Sequence, residues 1–180
     1  MNVLRNRWLI LSLGSGFITT GLVLYYVWKY PQPSVYGEQF IKDEISPFLF
    51  VQFKPITLIF IFGFLFYASL IQHFEKRIAA VGHDVRIFLF MLSFLITVGS
   101  IYELFFNFAL WGSLMSITGV VNPDMLVNRF PSPKTAVSLV YASKIVILVF
   151  AVSSYSMYFL HRIERVPEAR SRMSSEPDFE

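Results

Sequence analysis

Four stretches of about twenty residues each, at 8–28, 55–74, 87–111 and 136–160, are apolar almost throughout. Coiled as a helix, a run of that length matches the ~30 Å hydrocarbon core of a bilayer. It must be helical there, because lipid offers no partner to free backbone N–H and C=O groups. The sequence therefore predicts an all-α polytopic membrane protein, a bundle of four transmembrane helices over residues 1–162. A disordered cytoplasmic tail is expected at 163–180, where apolar periodicity stops. A mean hydropathy of +0.57 and 20 Phe among 180 residues fit a chain whose solvent is largely lipid.

The first run follows Arg5 and Arg7, as in a signal peptide. Its apolar length exceeds the usual ~7–15-residue signal core, and no small-residue cleavage site follows, so a retained helix is expected. Trp8 and Trp28 mark its two interfaces. Ser12, Gly16 and Thr20 recur at four-residue spacing and predict a narrow face that admits a close neighbour. Pro55 suits the first turn of the second helix. The Phe-rich surface of that helix is expected to face lipid or a partner. Between helices two and three, Phe74, Ile78 and Val81 recur at helical spacing, predicting a short interfacial helix that ends at Gly82. Asp84 is the expected N-cap of helix three.

The net charge of +3 could point to nucleic acid, but the basic residues flank the apolar runs, so no nucleic-acid partner is expected. Nine of the fifteen, including Arg5, Arg7, Lys76, Arg77, Arg86 and Arg162, fall on one side; five fall on the other, and Lys144 lies inside a span. That bias predicts a multi-pass plasma-membrane protein with both termini cytoplasmic. The absence of cysteine removes disulfides, thiolate metal ligands and thiol catalysis.

Two constellations carry chemistry. Glu103 in run three and Lys144 in run four would each cost roughly 2.5–3.5 kcal/mol at a helix centre. Counted from the expected ends of their helices, they fall at one depth, near the outer interface. Ser100 and Asn107 share the Glu103 face, and Tyr141 precedes Lys144 by one turn. This predicts a polar cluster of Glu103, Lys144, Asn107, Ser100 and Tyr141. It reads as a packing salt bridge, as two snorkelling groups, or as a relay or ligand contact. The second constellation is His73, His83, Asp84 and His161, all near the inner face, where imidazole and carboxylate could bind a metal. Their spacing matches no ligand motif. No phosphate loop, dinucleotide fingerprint or hydrolase elbow is present, and no cofactor is implied.

The reading that follows is a non-catalytic accessory or structural subunit of a larger membrane complex. Its partners are the bilayer and other membrane subunits, or further copies of itself. The segment 120–135 is an expected docking element. The alternatives are a small metal-dependent membrane enzyme at the inner histidines, and a transporter or channel unit using Glu103 and Lys144.

Overall fold

A computed structural model describes the main chain over residues 2–33, 37–41, 43–48, 51–119 and 133–174. Its long elements are α1 (Asn2–Lys29), α2 (Pro55–His73), α4 (His83–Thr118) and α5 (Pro133–Ser174), with the short helix α3 (Glu75–Ala79) between α2 and α4. All four long helices contain a segment long and apolar enough to cross a membrane. The chain is an all-α, four-helix membrane bundle. One end carries the segment between α1 and α2 and is termed the loop end; the other carries α3 and is termed the turn end.

Pro55 opens α2 and supplies no N–H where none is needed, while the Thr57 amide donates to the Lys54 carbonyl at 2.9 Å. α3 ends at Ala79, capped by Ala80, so it is shorter than the helix expected to run through Val81 to Gly82. Gly82, not Asp84, is the N-cap of α4, and Asp84 lies in its first turn, where a carboxylate favours the positive end of the helix dipole. At the loop end, a 3₁₀ turn (Glu38–Phe40) precedes a hairpin of β1 (Ile45–Phe48) and β2 (Val51–Phe53), paired antiparallel with Ile45 opposite Phe53. This hairpin is a small ornament on a helical fold.

α1 packs on α2, α2 on α5, and α5 on α4. The pairs α1–α2 and α4–α5 are antiparallel hairpins, as the approach of Gly16 to Phe66 and of Thr19 to Gly63, and the pairing of Thr97 with Ser153 and of His83 with Glu164, show. The central pair, α2–α5, runs parallel, as its contacts Thr57–Lys144, Tyr67–Ser156 and Gln72–Arg162 show. Helix two is therefore flanked by α1 and α5 and mostly half-buried. The broad outward aromatic face expected of it belongs to α4 instead, where Phe88, Phe94, Tyr102, Phe105 and Phe108 are exposed.

On α1 the covered stripe is Ser12, Ser15, Gly16, Thr19, Val23 and Tyr26, and Thr20 is exposed. Strict four-residue spacing drifts off a helix face, whereas alternating steps of three and four stay on it. Ser12 and Gly16 lie on the close face as expected. The Phe66 ring of α2 lies on Gly16, so near that a Cβ there would come within 2.9 Å of it.

α4 and α5 run beyond the expected spans. α5 continues helically to Ser174, which replaces the disordered tail expected from 163; residues 175–180 lie outside the described residues. Propagation is far less costly than nucleation, so a formed helix runs on through good helix formers such as Glu168, Ala169 and Arg170, although Pro167 removes one backbone hydrogen bond within it.

Candidate functional site

The α4–α5 interface is built from small polar residues. Covered positions on α4 run Phe90, Ser93, Thr97, Ser100, Leu104, Asn107 and Trp111, alternating steps of three and four. This spacing is that of an antiparallel left-handed pair. Small side chains let the backbones approach. At the centre the Thr97 and Ser153 hydroxyls share a cross-helix hydrogen bond at 2.9 Å, both residues buried. Ser100, Asn107 and Ser143 are buried along the same seam. Serine and threonine hydroxyls here also return to their own helix, as Thr97 does to the Ser93 carbonyl at 2.8 Å and Ser100 to Ile96 at 2.8 Å. Thr97→Val keeps the shape and removes the cross-helix bond. We expect a loss of ~0.6 kcal/mol, at most ~1.7, in unfolding from detergent micelles. An unchanged or raised stability would mean that packing alone holds this seam.

The seam sets the register, and the register separates the expected pair. Continued from Thr97–Ser153, it puts Glu103 level with Ile147, about 4.5 Å deeper than Lys144 along the helix. Glu103 also falls beside the seam and is exposed, while Ser100 and Asn107 are buried in it. Lys144 turns to the other side of α5 and donates to Thr57 Oγ1 at 3.3 Å. Thr57 lies in the first turn of α2, so the ammonium reaches toward the loop-end interface, as a snorkelling lysine does. Of the expected cluster, Ser100 and Asn107 share the seam. Tyr141 stacks on Phe40 of the 3₁₀ turn, with centroids 6.3 Å apart. The Glu103–Lys144 contact is not made.

At the turn end, the expected metal ligands are likewise not brought together. His83 Nδ1 lies 3.2 Å from Glu164 Oε1 in an exposed pair, His73 stands edge-on to Phe74, and His161 and Asp84 are exposed. Among the described residues no three His, Asp or Glu side chains converge. The straight run of α2 to His73, followed by α3, separates His73 from His83. What this end does hold is a polar clasp between α2 and α5. Gln72 Nε2 donates to the Tyr155 hydroxyl at 2.8 Å, and Arg162 donates to Gln72 Oε1 at 3.1 Å. Arg162 also pairs with Glu75 at 3.1 Å, and one turn deeper Tyr67 and Ser156 share a hydrogen bond at 2.5 Å. The pairing of Gln72 with residues on α5 was hidden in the sequence, because no spacing rule links residues on two parallel helices far apart in the chain.

The loop end is a charged and aromatic belt. Lys29 pairs with Asp43, Tyr30 donates to Asp43 at 2.6 Å, and Lys54 pairs with Glu44 at 2.7 Å. The hydrogen bond to Asp43 holds the Tyr30 phenol above its usual pKa, since ionisation would forfeit the bond. Phe40 contacts both Tyr26 of α1 and Tyr141 of α5 and so ties the 3₁₀ turn across the bundle. The segment 120–132 lies outside the described residues, as does most of the docking element expected at 120–135.

Fold and seam together define an all-α, multi-pass membrane protein. Compared with protein-family models, with curated proteins and with solved structures, the chain matches none.

Proposed function

We propose that this chain is a non-catalytic subunit of a larger membrane complex and that it docks through the outward face of α4. The observation that carries the reading is Glu103. It lies within an apolar span and is exposed, and Lys144, the cation expected to pair with it, is engaged with Thr57. An intramembrane carboxylate is costly facing hydrocarbon and inexpensive against a donor from another helix. Phe106, one turn on, shares its face and is 51% exposed, with Ile96 and Leu110 exposed on the same side, and aromatic side chains are preferred anchors of buried interfaces. The partner is a transmembrane helix that offers a cation or hydrogen-bond donor level with Glu103. The same reading places the chain in the plasma membrane with the turn end, rich in Arg and Lys, on the cytoplasmic side.

The test is purification from native membranes in mild detergent, read by native mass spectrometry, for wild type and Glu103→Leu. A stoichiometric partner held by the wild type and lost by the variant, with unchanged melting of the chain itself, is the expected result. A partner-free wild-type chain, or a partner held equally by both, would overturn the reading.

A further inference from the structure

An open groove of about 450 Å³ runs between α2 and α5, and among the described residues these two helices supply all of its lining. On α2 it extends from Thr57 to Leu65, about 12 Å of helix, and on α5 from Lys144 to Ala151, about 10 Å. Because the two helices run parallel, its two polar residues, Thr57 and Lys144, fall together at the loop end. Every other lining residue is apolar, including Phe64, Leu65 and Ile147. The groove thus has a cationic head near the interface and an apolar body that leads toward the middle of the bilayer.

The ammonium at that head is short of partners. Lys144 is half-buried, and its contact is the neutral Thr57 hydroxyl at 3.3 Å, longer than the ~2.7–3.2 Å of a good N–H···O bond. An ammonium carries three donors. Among the described residues no carboxylate pairs with it. Asp43 is engaged with Lys29 and Tyr30, and Glu44 with Lys54. Glu103 lies on α4, which does not line the groove. A cation within an apolar span is costly until an anion compensates it. In a bilayer, the anion that stands at the end of a span with an apolar chain behind it is a lipid phosphate.

We propose that this groove binds one anionic phospholipid, its phosphate held by Lys144 and Thr57 and one acyl chain lying along α2 and α5 toward Leu65 and Ala151. The Thr57 hydroxyl accepts from Lys144 and keeps its own proton to donate, so both groups can donate to phosphate oxygens. An anionic head neutralises the lysine, whereas a zwitterionic head brings a cation of its own and leaves the local charge unbalanced. Because the groove is open, the second chain stays in the bilayer. This site is independent of the α4 face and stands or falls separately from the docking reading.

The experiment titrates the full chain in mild detergent with phosphatidylglycerol and with phosphatidylcholine of the same acyl chains, read by native mass spectrometry. Phosphatidylglycerol should fill one site at about fivefold lower concentration than phosphatidylcholine, the attraction that one lysine adds for an anionic head. Lys144→Gln should erase that preference and Lys144→Arg should keep it. Lys54→Gln removes a cation of the same end that does not line the groove, and should leave the preference unchanged. Ala151→Phe, which fills the groove and leaves Lys144 in place, should release the lipid, and it decides the matter if Lys144→Gln does not fold. Equal affinity for the two lipids, a preference that survives Lys144→Gln, an equal loss in Lys54→Gln, or retention of the lipid by Ala151→Phe overturns the proposal. So does displacement of the lipid by inorganic phosphate, which would make Lys144 a site for any anion with no use of the groove.

Discussion

Gly37→Ala is expected to destabilise the loop end more than any other single-methyl change in the chain. Two costs coincide there. Gly37 has φ +86°, a left-handed conformation that costs a residue with a Cβ about 1–2 kcal/mol. An added Cβ would also sit 2.4 Å from the Tyr141 ring, backed by the stacked Phe40. Overpacking of this kind adds about 1–3 kcal/mol, so a total loss of ~2–5 kcal/mol is expected. The two costs separate by mutation: Tyr141→Leu in the Gly37→Ala background should recover the steric part and leave the conformational part. Thermal melting in detergent and limited proteolysis of the 30–44 segment both report it. A variant that melts like wild type, with the same proteolytic pattern, would show that the turn is not clamped against α5.

The second large effect is expected at Gly16. The Phe66 ring lies where a Cβ would go, at 2.9 Å, but that ring is 38% exposed and can swing outward. Gly16→Ala should therefore cost little, and Gly16→Leu, which no swing of one ring accommodates, ~1–3 kcal/mol through separation of α1 from α2. Gly14 supplies the control, since nothing lies within 4 Å of the Cβ it would gain. Leu at 14 should leave melting unchanged. Equal effects at positions 14 and 16 would mean that α1 does not approach α2 through this face.

The spans could be read from the sequence because the bilayer imposes a length and an apolarity that each run satisfies by itself. The close face at Ser12 and Gly16 was legible for the same reason: small residues at helical spacing are a local signal. What could not be read was relational. The depths of Glu103 and Lys144 were counted from assumed helix ends, and α4 and α5 extend past those ends. A slip of about three residues, with the rotation it brings, puts Glu103 on the flank and Lys144 against Thr57. Helix order was equally hidden. Nothing in the composition of α2 says that α5 will cover it and leave α4 outermost. Gln39 reads in the sequence as one polar residue in an alternating loop, and only the tertiary clamp on its turn buries it.

The parallel α2–α5 contact divides the bundle into two helical hairpins, α1–α2 and α4–α5, each antiparallel and each closed by its own small-residue seam. Phe60 and Leu148 stand at their junction, and each lines both an open groove of about 460 Å³ beneath the 3₁₀ turn and a second groove of about 450 Å³ on the opposite side. Such a junction is a hinge line. Tilting one hairpin against the other would open one groove as it narrowed the other, and the Arg162–Gln72–Tyr155 clasp at the turn end and the aromatic belt at the loop end both resist that motion. A guest in either groove would thereby set the angle between the two halves, and with it the direction in which α4, at one edge of the bundle, faces its neighbours.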